Sequence, residues 1–236
     1  DIKVLCLDRE GHLWTGNYGT GLTQILPRLF TVTRPGYSEY GNAVFSVKSS
    51  GDFRWIGTER GLLQLDRKSG RVLTFYGPPR LPADTVTAIC VRNEHDLWIG
   101  TGRHGTWRLD PATGTLTRFQ LGDEQLENSI TSLEMQGDAL WAGTKNGLCR
   151  VMLPVGTKQW YTIGQGGLPH NKINCILAGK DGKVWVTLHS NILVSFEGER
   201  MKKIPVSGNG NLELGPLAED DAGGIWAGSL GGGLFR

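Results

Sequence analysis

The 236 residues hold no lysine–arginine block, no apolar run approaching the ~18 residues of a membrane-spanning helix, and no CxxC or HxH pair. Each absence removes a class of function. With 25 basic against 23 acidic residues the net charge is only +2, so nothing foretells a surface that tracks a phosphate backbone, and no nucleic-acid partner is expected. The segment is not expected to insert into a membrane, and its residue spacing predicts no metal site. Aromatic residues are scarce at 8%, and neither a helical nor a coiled-coil period is visible. An initiator methionine and a signal peptide are also missing. The chain opens at Asp1 and stops at Arg236, both inside expected strands, which predicts a piece of a longer polypeptide.

Glycine, by contrast, is abundant at 35 residues, and six tryptophans are periodic. Trp14, Trp55, Trp98, Trp141, Trp185 and Trp226 follow one another at 41, 43, 43, 44 and 41 residues. A period in the low forties, with Gly-Thr or Gly-Ser after most of the tryptophans, predicts four-stranded blades of a β-propeller. The fold class is thus all-β, with six repeats visible, the last incomplete. The units run approximately 1–42, 43–84, 85–128, 129–171, 172–214 and 215–236, in a single propeller domain or a fragment of one. Neither end offers a spare strand for closure, so two alternatives stand: six blades closing by packing alone, or part of a larger ring.

Each unit reads as strands a to d. Strand a is expected at 2–7, 44–47, 86–91, 130–135, 173–178 and 216–218. A tight turn follows (DREGH, SSGDF, RNEHD, QGD, GKDGK, DDAGG), rich in the residues that tolerate positive backbone angles. Asp8, Asp181 and Asp221 are expected to brace these turns. Strand b (LWTG, RWIG, LWIG, LWAG, VWVT, IWAG) is too densely apolar for either face to be solvated, as between two packed neighbours. Its tryptophan fills the wedge, while Trp107 and Trp160 lie outside the register. Strand d is expected at 72–76 and 116–119, and more loosely at 30–33, 160–163 and 202–206. Cys6, Cys90, Cys149 and Cys175 fall in different units and read as small buried hydrophobes. Cys6 and Cys90, two blades apart, exceed the about 7 Å between Cα atoms that a disulfide allows.

Strand alternation puts the b–c loops and the d–a crossovers on one face of each blade. Residues that vary there among otherwise similar units are the natural ligand contacts around an expected axial pocket. The candidate binding residues are Tyr18, Glu59, Arg60, Arg103, His104, Lys145, Asn146, His170 and His189, with Asn17, Ser190, Tyr37, Tyr40, Arg80 and Asn171 beside them. No catalytic residue and no cofactor is assigned. GTGRHG at 100–105 matches a dinucleotide fingerprint only as a string, because a strand and not a helix is expected after it.

The units DREGHLWTGNYGTGL, DFRWIGTERGLLQLD, HDLWIGTGRHGTWRLDPATG and DALWAGTKNGL resemble the two-component regulator propeller repeat. That resemblance implies the extracytoplasmic sensor region of a bacterial hybrid histidine kinase or diguanylate cyclase, in the periplasm. It also implies a small-molecule or carbohydrate ligand or a downstream sensor module as partner, and a homodimer of the full receptor. Unit five departs from the pattern, reading VWVTLHSNIL without the Gly-Thr pair. Two other classes compete. Virginiamycin-type lyases are propellers of similar repeat style that use histidine and a carboxylate with Mg²⁺, for which His104, His170, His189 and Glu59 are the available groups, whereas His12 and His95 fall in the opposite turns. A protein-interaction scaffold is the third reading.

Overall fold

The structure is a computed structural model that describes residues 2–8, 13–17, 21–25, 30–33, 40–81, 85–153, 155–206 and 213–236. The chain divides into two compact units, Asp1–Gln120 and Leu121–Arg236. All described regular structure is β, every strand pair is antiparallel, and among the described residues no helix is long and apolar enough to cross a membrane.

The first unit holds three four-stranded blades. They are β1 (Ile2–Leu7), β2 (Leu13–Asn17), β3 (Gly21–Ile25) and β4 (Phe30–Thr33), then β5 (Val44–Ser50), β6 (Phe53–Thr58), β7 (Gly61–Asp66) and β8 (Val72–Tyr76), then β9 (Val86–Asn93), β10 (Asp96–Thr101), β11 (Thr106–Asp110) and β12 (Thr115–Phe119). In the second unit, blade four is β13 (Ile130–Gln136), β14 (Ala139–Thr144), β15 (Gly147–Met152) and β16 (Thr157–Tyr161). Blade five is β17 (Ile173–Ala178), β18 (Val184–Leu188), β19 (Ile192–Glu197) and β20 (Arg200–Ile204), and blade six is β21 (Glu213–Glu219), β22 (Ile225–Leu230) and β23 (Gly233–Phe235). These are the six a-b-c-d units of a β-propeller, the sixth with three strands.

Blades stack because strand b is apolar on both faces. Every residue of β10 and β14 is buried. The strand-b tryptophans of blades one, two and four turn toward the blade that follows. Trp14 packs with Val44, Val47 and Ile56 of blade two, Trp55 with Val86 and Ile89 of blade three, and Trp141 with Ile173, Ile176 and Phe196 of blade five. Two residues past the tryptophan the neighbouring strand comes so close that a side chain would collide. A Cβ on Gly57 would stand 2.7 Å from both Val86 O and Val86 Cγ1, and one on Gly143 would stand 2.6 Å from Ile173 Cγ2. Trp107 and Trp160 are half-buried, and no disulfide links the four cysteines. Burial raises the Cys149 thiol to about 12.

Several expectations shift in detail. Strand d of blades four and five starts earlier than expected, at Thr157 and Arg200, because Gly156 (φ 79°) and Gly198 (φ 61°) complete tight c–d turns first. Strand a of blade six begins at Glu213 and continues through Pro216, which sits in a register irregularity between Leu214 and Leu217 where the missing N–H is tolerated. The turn brace in blade six is Asp220, not Asp221. Asp220 accepts the Trp226 indole N–H at 2.8 Å, as Asp8 accepts that of Trp14 at 2.9 Å, whereas Asp221 is fully exposed beside Lys180. Asp181 is a brace as expected, accepting the Lys183 amide at 3.0 Å.

Candidate functional site

The face that joins b–c loops to d–a crossovers is built by one repeated pair of contacts. The first loop residue donates its amide to the carbonyl just before strand a: Glu59 to Ala43 at 3.2 Å, Gly102 to Thr85 at 3.1 Å, Lys145 to Ser129 at 3.2 Å and His189 to Lys172 at 3.0 Å. The threonine that ends strand b then folds its hydroxyl over the loop. Thr58, Thr101 and Thr144 reach the carbonyls of Gly61, Gly105 and Gly147 at 3.1, 2.8 and 2.8 Å, and their oxygens accept the amides of Arg60, His104 and Asn146. This is the physical content of the Gly-Thr pair. Blade five has Thr187-Leu188 in its place, and its loop closes instead with Ser190 and Asn191 at φ 67° and 57°.

In the first unit the candidates stand apart from one another or serve the backbone. Tyr18, Tyr37 and His12 lie outside the described residues, and of Asn17 only its place in β2 is described. The Glu59 carboxylate accepts the amides of Asn42 (2.9 Å) and Ala43, so it already holds the crossover into β5. The Tyr40 ring packs on Phe75 at 5.1 Å. Arg60, Arg80, Arg103 and His104 are exposed. GTGRHG is an ordinary b–c loop, since β11 follows at Thr106, and it offers no helix N-terminus for a pyrophosphate.

The second unit brings groups together. Asn171 Nδ2 donates to Asn146 Oδ1 at 3.2 Å, and Asn171 Oδ1 accepts the Ile163 amide at 2.7 Å. His170 Nδ1 accepts the Lys172 amide at 3.0 Å, which places the neutral ring's proton on Nε2, and its ring stands 5.1 Å from that of His189. Lys145 is exposed at the rim of this face. At its centre is Glu213 at the head of β21. Its Oε1 collects His189 Nδ1 at 2.9 Å, Lys172 Nζ at 3.1 Å and Asn174 Nδ2 at 3.3 Å.

The His189 imidazole first, then the Lys172 ammonium, hold the Glu213 carboxyl down at about 2, against partial burial that pulls the other way. The sign of the linkage follows. A carboxyl whose folded value lies below its ordinary 4.5 contributes stability above about pH 4.5 and loses it as pH falls toward 2. Thermal unfolding of the parent and Glu213→Gln should therefore differ fully above about pH 4.5, with the gap closing between 4.5 and 2. A gap that stays constant across this range would contradict the pairing.

Lys172, Asn174 and Glu213 are absent from the candidates read from sequence. A signal for Lys172 exists: the residue preceding strand a is Ala43, Thr85 and Ser129 in blades two to four, and Lys172 in blade five. Glu213 was hidden because Pro216 marks the expected strand start three residues late. Among the described residues no group of three or more His, Cys, Asp or Glu side chains could hold a metal ion.

Comparison with known proteins agrees with this architecture. The two component regulator propeller family matches residues 167–189, the stretch that carries His170, Lys172, Asn174 and His189. No curated protein sequence matches the chain. Among solved structures, the extracellular domain of BT4673 from B. thetaiotaomicron is described as a one component system. It is 22% identical over 97% of this chain and 31% of its own, with a TM-score of 0.75. The extracellular domain of BT3049, from the same organism and described as a hybrid two component system, is 19% identical over 99% of this chain and 33% of its own, at 0.78. A catalytically inactive virginiamycin B lyase from Staphylococcus aureus, solved with quinupristin, is 16% identical over 99% of this chain and 78% of its own, at 0.80. At these identities the likeness is one of fold, and the chain spans about a third of the length of the first two structures. Residues 167–189 thus match the two component regulator propeller repeat, within a chain whose β-propeller fold is shared with the extracellular domains of B. thetaiotaomicron signalling systems.

Proposed function

We propose that the chain is a ligand-sensing propeller region of a bacterial transmembrane signalling receptor, held on the periplasmic side, and that it works by binding and not by catalysis. The ligand is a small polar molecule, with saccharides the first class to test, and it docks on the b–c loop face of the second unit through Lys145, Asn146, His170 and His189. One observation carries this reading: three donors of blade five converge on a single, partly exposed carboxylate oxygen of blade six. Partly exposed donors fixed by backbone contacts are groups that can exchange partners with a ligand. In the whole receptor, a ligand shifts the placement of a downstream module, or of a second receptor copy, only by its difference in affinity for the two states.

A thermal-shift screen against mono- and oligosaccharides, with and without Mg²⁺, tests it. A ligand at about 100 times its dissociation constant stabilises by about 2.7 kcal/mol. The shift should be present in the parent and lost in a Lys145→Ala/His189→Ala double variant, each measured against its own ligand-free unfolding midpoint. An undiminished shift in that variant moves the site elsewhere. Turnover of quinupristin in the presence of Mg²⁺ would replace the reading with a lyase, and silence throughout would favour a protein partner.

A further inference from the structure

We infer that Lys172, His189 and Asn174 form a carboxylate-binding site that Glu213 itself fills, and that a small-molecule carboxylate binds there by displacing Glu213. This rests on the loop-face reading above and names the chemistry of its ligand.

The donors and the acceptor belong to different blades. Lys172 precedes β17, Asn174 is its second residue, and His189 opens the b–c loop of the same blade, while Glu213 heads β21 of the next. The repeat supplies an internal control for each donor. Where blade five has Lys172, blades two to four have Ala43, Thr85 and Ser129, and where it has Asn174 they have Phe45, Thr87 and Thr131. Where it has His189 they have Glu59, Gly102 and Lys145. Blade four also has donors there, in Ser129, Thr131 and Lys145, but none of blades two to four combines an ammonium, an imidazole and an amide at these positions. Packing does not demand them, since blades two to four form the same strands without them.

The His189 backbone and the Asn174 amide are also held by groups other than Glu213, and Lys172 Nζ stands 3.4 Å from His189 Nδ1. The His189 amide donates to Lys172 O, and Asn174 Nδ2 also reaches Leu214 O at 2.7 Å. The His170 ring stands beside that of His189 with its own proton on Nε2, a fourth donor at the edge. Glu213 is held less firmly than its three contacts suggest. Its side chain is 33% exposed, that of Lys172 42% and that of His189 41%, a regime in which ion pairs are screened and readily exchanged. A ligand carboxylate would meet the same ammonium, imidazole and amide donors, and charge-assisted bonds to a carboxylate are the stronger kind. Departure of Glu213 removes its own link between the head of β21 and blade five, while Asn174 Nδ2 on Leu214 O at 2.7 Å and the Thr187 hydroxyl on Gly215 O at 2.8 Å remain. Occupancy is thereby reported by strand a of blade six.

The probe is acetate, titrated against chloride at equal ionic strength and followed by the His189 ring resonances and by thermal shift. Glu213→Ala vacates the site, so its acetate dissociation constant should fall at least tenfold below the parent's, and a Glu213→Ala/Lys172→Met double variant should lose the gain. If Glu213→Ala does not fold, Glu213→Gln removes the competing charge while keeping the shape, and its affinity should rise in the same direction. Equal acetate affinity in parent and variant, or a response no different from chloride, overturns the inference. A saccharide hit abolished by Lys145→Ala/His189→Ala but unaccompanied by any acetate response would also overturn it while leaving the sensing function standing.

Discussion

Trp141→Ala is expected to lose about 3–5 kcal/mol of stability, the range for truncating a large aromatic in a packed core. Trp141 is fully buried at 0% exposure. Its ring stacks on Tyr161 at 5.9 Å and meets Phe196 at 5.3 Å, and its indole N–H donates to Gln136 Oε1 at 3.2 Å. It is a filler between strand b of blade four and strands a to c of blade five, where Ile173, Ile176, Val186 and Val194 close around it. The side chains around it sit on strands held by backbone ladders, so they cannot move in far enough to fill the void. Denaturant unfolding followed by far-ultraviolet circular dichroism reads the loss, with Trp160→Ala as the control. Trp160 is half-buried in the outermost strand of the same blade, and its loss should be about 1 kcal/mol. Equal losses at the two positions would contradict the wedge role given to the periodic tryptophans.

Gly57→Val should cost about 3 kcal/mol, at the upper end for overpacking, because one of the atoms it meets is backbone. The added Cβ alone would come 2.7 Å from the Val86 carbonyl oxygen, which belongs to strand a of the next blade and is committed to that sheet. Blade five shows what accommodation requires. There the corresponding residue is Thr187, and its hydroxyl donates to Gly215 O of the following strand at 2.8 Å. Thr187 gains a hydrogen bond to the following strand that a valine at position 57 has no hydroxyl to make. The measurement is the shift in denaturation midpoint, with Gly70→Ala for comparison. Gly70 has open space around its Cβ, so its cost should come from its φ of 68° alone, about 1 kcal/mol. A Gly57→Val chain as stable as the parent would mean that the blades are not packed at this distance.

The fold was legible because the propeller repeats its constraints, the tryptophan in all six units, the glycine two residues later in five and the threonine after it in three. The tryptophan marks the filler between blades, the glycine two residues later marks the close approach, and the threonine after it marks the hydroxyl that closes the b–c loop. Strand d was less legible, since it is the outermost and carries few buried residues: β12 and β20 alternate exposed and half-buried positions without a strong pattern. The site was half legible. Loop position alone selected Glu59 and His189 on equal terms, yet one carboxylate is consumed by backbone amides at 42 and 43 and the other side chain joins a cross-blade cluster. Nothing in a linear string distinguishes those fates. Glu213 was obscured by Pro216, which reads as a breaker and is in fact carried inside an irregular strand. Comparing the repeats position by position, and not motif by motif, is the step that exposes Lys172.

The central claim is that ligand recognition resides on the blade-five and blade-six loop face of the second unit. Backbone hydrogen exchange of the chain, with and without the strongest stabiliser from the thermal-shift screen, tests it directly. Slowed exchange should map to 170–174, to 189–191 and to 213–215, with the c–d turns at 66–70, 110–114 and 197–200 unchanged. Protection confined to those turns, or spread evenly over both units, would contradict it.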